Sequence, residues 1–312
     1  MKRWLALLAL ALTSCNSSLP ESRSAASAAS KADVSFEAFR FETSAGPFTA
    51  ILYPEVAPET VARYQDYVDS GYFVGRSFDR VIPGFVIQLT DCAISFVTRD
   101  SRTLPLEPSE DYFFSAGALG IARAASPNSG GPEFFVMDFA AAHLNNEYTV
   151  FGQVVEGMDV IRRAARVMAV DLTAGGQVPG VVGDRCALMP VEISATTRTT
   201  VTMSAQDAAR YPLHTAARVR TDTASYNLEW PATLAAKRET ELTVYIRMVD
   251  QTQAPPAAQD LAVTIAGVSL GVEAGEVAGI YRFRWAPPAK GIFDAVISAA
   301  GAELATLQIE VR

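Results

Sequence analysis

The chain has few of the residues that metal and nucleophile sites require. Its 312 residues include only two histidines and three cysteines, and none of them stands at a metal-ligand spacing such as Cys-x-x-Cys or His-Glu-x-x-His. The sequence also lacks a phosphate-binding Walker loop and the nucleophile elbow of serine hydrolases. We therefore predict no metal site and no nucleotide or serine-hydrolase chemistry.

Positive charge is scarce as well. The chain carries 26 basic against 34 acidic residues, a net charge of −8, and its basic residues form no cluster. A nucleic-acid-binding surface needs clustered Lys and Arg to contact phosphates, so we predict no nucleic-acid partner. Hydrophobic residues make up 49% of the chain, which excludes a disordered protein. A length of 312 residues is enough for two domains with their own cores or for one large domain.

No apolar run near the N-terminus is long enough to span a bilayer. The run at residues 4–12 follows two basic residues and has nine residues, whereas a membrane-spanning helix needs about 20. It ends in small residues before Cys15, and this pattern resembles the bacterial lipoprotein signal, in which residues 1–14 are removed and Cys15 is acylated. The alternative is an ordinary secretory signal. The lipoprotein interpretation predicts an exported protein anchored to a membrane by lipid, facing the periplasm or the cell exterior.

The next segment and the two remaining cysteines depend on this export. Residues 15–34 are rich in Ser and Ala and have little to bury, so we predict a flexible tether between the lipid and the folded protein. Cys92 and Cys186 would lie in an oxidising compartment. They would form a disulfide or remain two separate thiols, and the sequence leaves both alternatives open.

Short strand patterns and two helical patterns alternate between residues 35 and 197. Phe39 and Phe41 alternate with charged neighbours, which is typical of a strand. A helix is predicted from Pro58, which suits the first turn, and Gly71 is the expected stop. A second helix is predicted near residues 156–167. Short strands with two helices favour a barrel or sandwich with helices at its ends.

Three blocks of this region resemble the cyclophilin family of peptidyl-prolyl cis-trans isomerases. They read APETVARYQDYVDSGYFVGRSFDRVIPGFVIQ, LGIARAASPNSGGPEFFV and HLNNEYTVFGQVVEGMDVI, in the family's order and with compatible gaps. The resemblance implies a mainly β fold, a closed antiparallel eight-stranded barrel capped by two helices, over residues 35–197. It also implies a reaction without cofactors, and proline-containing polypeptides, here exported or unfolded clients, as partners.

The resemblance gives catalytic roles to Arg80 and Gln88. Rotation about an X-Pro bond is slow because twisting the amide breaks its resonance, with a barrier of about 20 kcal/mol. A hydrogen-bond donor that binds the twisted amide more strongly than the planar one lowers this barrier. The guanidinium of Arg80 would be that donor, and Gln88 would position it and contact the substrate backbone. Taken alone, an ion pair for Arg80 and a strand cap for Gln88 are the ordinary interpretations.

Further residues match the family's substrate contacts. Phe85 and Phe135 match the aromatic walls of the proline pocket, although an isolated buried Phe is ordinarily core. His143 stands at the tryptophan position of cyclosporin-sensitive members, which implies weaker cyclosporin binding. The other substrate-binding matches are Val86, Ala122, Leu144 and Tyr148.

Some positions near these residues depart from the family's pattern. A carboxylate at Glu133 would pair with Arg80 or would favour basic substrate sequences, and slower catalysis is implied. The departures are Asp79, Leu89, Thr90, Pro132 and Glu133.

The remaining region, residues 198–312, shows only strand patterns. Apolar residues alternate in ELTVYIRMVD, IYRFRW and LATLQIEVR, which favours a small antiparallel β-sandwich that resembles immunoglobulin-like modules. The aromatic residues of IYRFRW are predicted to be core, and Arg282 and Arg284 a solvated face. Residues 195–200 are predicted to be a linker between the two domains.

Three functions follow from these observations. The leading hypothesis is a prolyl isomerase that assists the folding of exported proteins. The alternatives are a module that binds proline peptides with little turnover, and a structural lipoprotein of the envelope whose sandwich is the functional part.

Overall fold

The structure, a computed structural model, describes residues 33–90, 100–171, 185–215, 219–231, 234–250 and 252–311. The predicted lipoprotein signal, Cys15, nearly all of the predicted tether and Cys92 lie outside these residues. What the sequence predicts for them therefore stays a prediction.

An antiparallel sheet of nine strands forms the first part of the described chain. Eight of its strands close into a barrel in the order β1-β2-β7-β5-β6-β4-β3-β9, because β9 pairs back onto β1, and β8 pairs with β9. The predicted closed eight-stranded barrel is confirmed. The strands are β1 (Val34–Thr43), β2 (Phe48–Leu52), β3 (Ser77–Ile82), β4 (Val86–Leu89), β5 (Ala118–Ile121), β6 (Phe134–Met137), β7 (Val150–Glu156), β8 (Ala169–Asp171) and β9 (Arg185–Met203).

Two helices pack against this barrel, as predicted. Helix α1 (Pro58–Asp69) has proline in its first turn. Proline costs no hydrogen bond there, because the first N–H groups of a helix have no acceptor within the helix. Gly71 follows the helix with φ of +70°. Its apolar face, with Tyr64 fully buried, joins the barrel core. Helix α2 (Met158–Ala164) buries Ile161 in the same core.

The C-terminal part is a sandwich of two antiparallel sheets, which confirms the predicted β-sandwich. One sheet has the order β10-β12-β13-β17-β16 with β11 on β12, and the other has the order β15-β14-β18-β19. A single hydrophobic core spans both sheets and includes Tyr281, Phe283 and Trp285, as predicted. The strands are β10 (Leu213–Thr215), β11 (Val219–Arg220), β12 (Ala224–Pro231), β13 (Thr240–Met248), β14 (Leu261–Ile265), β15 (Val268–Leu270), β16 (Glu273–Ala274), β17 (Ile280–Trp285), β18 (Gly291–Ala299) and β19 (Ala302–Val311).

The predicted linker at residues 195–200 is wrong. These residues belong to β9, which pairs with β1 from Thr43 back to Val34 and ends at Met203. Their side chains are mostly exposed, and the backbone pairing of β1 holds them in place. A short helix α3 (Ala205–Ala208) follows before the sandwich begins.

The sandwich packs directly on the barrel. Phe139 and Tyr245 approach with ring centroids 5.2 Å apart, within a small buried cluster that both parts share. The buried carboxylate of Glu229 accepts the backbone N–H of Ala116 at 2.8 Å and the hydroxyl of Tyr245 at 3.2 Å. Within the described residues, no helix is long and apolar enough to cross a membrane.

Candidate active site

The pair Arg80 and Gln88 lies on neighbouring strands of the barrel. Arg80 of β3 is the register partner of Gln88 of β4, because a tight turn at residues 83–84 joins the two strands. A guanidinium N–H of Arg80 donates to the Gln88 side-chain oxygen at 3.1 Å. Both side chains are half-buried, so the hairpin presents a cation with an amide beside it at the edge of an apolar surface.

The turn that carries Phe85 is fixed by a buried carboxylate. Gly84 has φ of +71° and donates its N–H to Asp138 Oδ2 at 2.7 Å, while the Asp138 N–H donates to the Phe85 carbonyl at 2.8 Å. Arg166 contacts the same carboxylate at 3.1 Å. Burial raises the pKa of Asp138, and Arg166 opposes this shift. Sequence reasoning missed Asp138, whose one signal is an acidic residue inside the apolar run FFVMDF.

An aromatic group surrounds Phe135, the second phenylalanine of the predicted pocket. Phe135 of β6 is the register partner of Gln88. Its ring stacks on Phe114 with centroids 5.5 Å apart and meets Tyr148 edge-on at 5.9 Å. Gly120, paired with Phe135 on β5, leaves the space for these rings, because a Cβ there would lie 2.4 Å from Phe135 and 2.5 Å from Phe114.

One cavity of about 290 Å³ brings most of the predicted site together. Both predicted catalytic residues and all predicted substrate-binding residues except His143 line it. Val86, Phe135 and Leu144 are buried in a common cluster, with Phe85, Ala122 and Tyr148 packed against it. We call it the Arg80 cavity. Its lining residues are Arg80, Phe85, Val86, Gln88, Ala122, Arg123, Phe135, Leu144 and Tyr148.

His143 lies beside this cavity. It is exposed, on a short 3-10 helix (Ala142–Leu144), and its ring stacks on Phe85 with centroids 5.7 Å apart. It therefore lies on the rim, where it lines a neighbouring groove with Phe85.

Arg123 is a cavity residue that sequence reasoning missed. Its guanidinium lies 4.3 Å from the Tyr148 ring centroid and donates to the Glu147 carbonyl at 2.9 Å. A cation over an aromatic face stabilises both side chains. The available signal was its position next to Ala122, which the resemblance had already assigned.

The unusual Glu133 lines a different pocket from Arg80. It shares that small pocket with Thr90 and Pro132, and its carboxylate accepts the Thr90 hydroxyl at 3.1 Å. Its backbone carbonyl accepts the N–H of Ala122 at 3.0 Å. The departure from the family's pattern is therefore accommodated beside Thr90, and an ion pair between Glu133 and Arg80 stays a prediction.

Cys186 lies on β9, where it is the register partner of Arg80. It is buried and disulfide-bonded. Its predicted partner Cys92 lies outside the described residues, so their pairing stays a prediction. Among the residues that the structure describes, no group of three His, Cys, Asp or Glu side chains could hold a metal ion.

Comparison with known proteins gives peptidyl-prolyl cis-trans isomerases as relatives. The family model described as cyclophilin type peptidyl-prolyl cis-trans isomerase/CLD matches residues 38–179. A probable peptidyl-prolyl cis-trans isomerase of Brucella abortus (strain 2308) is 33% identical over 165 residues, which cover 45% of this chain and 83% of the relative. Peptidyl-prolyl cis-trans isomerase B of Bacillus subtilis (strain 168) is 39% identical over 110 residues, or 35% of this chain and 76% of the relative.

Two further similarities are more limited. A probable peptidyl-prolyl cis-trans isomerase of Brucella suis biovar 1 (strain 1330) is 37% identical over 124 residues, which cover 35% of this chain and 62% of the relative. The chain thus spans less than two thirds of that relative's length. A crystal structure of a Cryptosporidium parvum cyclophilin type peptidyl-prolyl cis-trans isomerase matches with a TM-score of 0.44 and 21% identity, over 53% of this chain and 98% of that chain.

Proposed function

Because the chain belongs to the cyclophilin-type peptidyl-prolyl cis-trans isomerase family, we propose that it accelerates rotation about X-Pro bonds, with Arg80 stabilising the twisted amide. The observation that carries this proposal is the hydrogen-bonded pair of Arg80 and Gln88 on the lining of one cavity that also has apolar walls. The substrates are proline-containing polypeptides.

This reaction requires a hydrogen-bond donor near the X-Pro amide and a surface that excludes water. When an X-Pro amide twists, its nitrogen regains a lone pair and the resonance of the planar form is lost. A fixed cation that meets the twisted amide better than the planar one lowers the barrier without any covalent step. Arg80 suits this role because the bond to Gln88 restricts its guanidinium before substrate arrives.

The proline ring would occupy the apolar part of the Arg80 cavity. Val86, Phe135 and Leu144 are buried there and present carbon surface, and the half-buried Phe85 lies on the same lining. Filling this surface with the ring displaces water from around Arg80. Removing water strengthens the interaction between the guanidinium and the amide.

The test is the cis-to-trans rate of a short X-Pro peptide with the wild type and Arg80→Ala. We expect wild-type acceleration that falls at least tenfold in the variant, a loss of about 1.4 kcal/mol of barrier lowering. Arg40→Ala is the matched control, since Arg40 lies on β1 and pairs with Glu42 away from the cavity. Circular dichroism checks that each variant is folded. A folded wild type without acceleration would instead favour a module that only binds proline peptides.

The location of the protein is part of the same proposal. The apolar run at residues 4–12 with Cys15 behind it supports an exported protein with a lipid anchor, whose substrates are exported clients. Cys15→Ser should move the protein from the membrane fraction to the soluble fraction of cells that express it. Retention of the variant in the membrane fraction would contradict the anchor and would leave the isomerase proposal intact.

A further inference from the structure

A second groove continues from the Arg80 cavity onto the sandwich. Phe85 lines both, and the second groove has a volume of about 220 Å³. Its barrel side includes Phe85 and His143, and its sandwich side consists of Ser225, Asn227 and Arg247. We call it the sandwich groove. Substrate residues that flank a proline in the first cavity would leave it beside this second one.

Arg247 reaches the site from strand β13 of the sandwich. Its carbon stem packs on the turn before Phe85, because a Cβ on Gly84 would lie 3.3 Å from its Cγ and Cδ. Its guanidinium carbon lies 5.5 Å from the Phe85 ring centroid, and His143 stacks on that same ring. Phe85, which lines the Arg80 cavity, is therefore in contact with the sandwich.

The groove is held in place by polar contacts between the two parts. The Asn227 side-chain oxygen accepts the backbone N–H of Ala142 at 3.3 Å. Asn145 donates to the Thr215 hydroxyl at 3.1 Å. These bonds connect the segment that carries His143 to the sandwich and so join the two walls of the groove.

The two sites share a positive lining in a chain of net charge −8. Among the described residues that line the Arg80 cavity, the charged ones are Arg80 and Arg123, and none is acidic. Among those that line the sandwich groove, Arg247 is the one arginine, and again none is acidic. Arg247 also lines a third groove, with Arg166 and Asp250.

We propose that the sandwich groove is part of the substrate site and that Arg247 selects an acidic residue close to the isomerised proline. The occupant is the extended polypeptide segment next to that proline, because the groove begins at Phe85 and an extended chain advances about 3.3 Å per residue. A carboxylate there gains a charge-assisted contact with the guanidinium. The C-terminal sandwich then contributes to substrate choice in the reaction proposed above, on which this inference rests.

The experiment compares X-Pro peptides that carry Glu, Gln or Lys at each of the three positions on either side of the proline. For every peptide we would measure kcat/KM for isomerisation and, separately, Kd by fluorescence anisotropy. On one side of the proline we expect Glu to exceed Gln by up to about fivefold, the value of a partly exposed ion pair, and Lys to be poorest. The preference should shrink at high salt because the contact is solvent-accessible.

Arg247→Gln should bring the Glu-to-Gln ratio close to one, and Arg247→Lys should keep a preference for Glu. The ratio is the informative quantity, because a loss of packing on Gly84 would slow all peptides alike. The matched control is Arg284→Gln, an exposed arginine of the neighbouring strand β17, which should leave the wild-type ratio unchanged.

The two proposals fail in different ways. A wild type that isomerises all peptides without preferring Glu, or an Arg247→Gln variant that keeps the preference, would overturn the role of Arg247 and leave the isomerase intact. A wild type without turnover would overturn the proposed function, while a Kd preference for Glu that Arg247→Gln removes would still support the groove. Equal Kd values for all peptides without turnover would overturn both.

Discussion

At the scale of single residues, the site depends on a position that has no side chain. Gly120 faces two phenylalanine rings at a distance that admits no Cβ, and Phe135 lines the same cavity as Arg80. Interiors are packed so closely that one added carbon displaces its neighbours or strains them. The position of the Phe135 ring therefore depends on Gly120, which is not among the residues that line the cavity.

Gly120→Ala tests this dependence. We expect Phe135 to move into the Arg80 cavity, so that KM for X-Pro peptides rises several-fold and unfolding costs roughly 1–3 kcal/mol less. Peptide kinetics and denaturant unfolding measure the two effects. Gly131→Ala is the control, because nothing lies within 4 Å of a Cβ at that position. Equal KM values for Gly120→Ala and the wild type would show that the ring position does not limit peptide binding.

At the scale of elements, local patterns carried the confirmed predictions for single helices and strands. Strand β17 alternates buried Tyr281, Phe283 and Trp285 with more exposed arginines, and a period of two is visible in sequence without any partner. Pro58 and Gly71 predicted the start and the end of helix α1. The closed eight-stranded barrel, by contrast, was predicted only from the family resemblance, because strands such as β7 and β2 pair across long stretches of chain.

The errors and omissions occur where the partner of a residue is distant in sequence. Residues 195–200 have mostly exposed side chains, so they show no burial pattern, yet the backbone of β1 pairs with them. Their threonines, which favour strands, were the overlooked signal. Asp138 and Arg247 support the same turn from two different parts of the chain. A resemblance that ends near residue 197 gives no information about an arginine of the sandwich.

At the scale of the whole molecule, a buried carboxylate joins the barrel to the sandwich. Glu229 of β12 is buried, and burial raises its pKa to about 7. The Ala116 N–H, the Tyr245 hydroxyl and, at longer range, Arg162 and Arg210 oppose that shift. The Glu229 carboxylate thus takes up a proton near neutral pH. It does so at the contact between the barrel and the sandwich.

This raised pKa predicts a pH-dependent stability with a definite sign. A group that is protonated more readily when folded stabilises the protein below its unfolded pKa, and that contribution is lost as the pH rises through the folded pKa. For Glu229 this loss occurs between pH 4.5, the unfolded pKa, and about pH 7, the folded pKa. The pKa shift corresponds to a change of about 3 kcal/mol in the free energy of unfolding. The free energy of unfolding should therefore fall between pH 5 and pH 8.

Glu229→Gln should flatten this decline. The amide stays neutral at every pH while its oxygen still accepts the Ala116 N–H, so the variant should match the wild type near pH 5 and exceed its free energy of unfolding at pH 8. Urea denaturation at pH 5, 6.5 and 8 gives the comparison. Glu239→Gln, on the exposed surface of the sandwich, should keep the wild-type slope. Parallel profiles for Glu229→Gln and the wild type would mean that Glu229 does not titrate in this range, and that the barrel–sandwich contact keeps its strength as the pH rises.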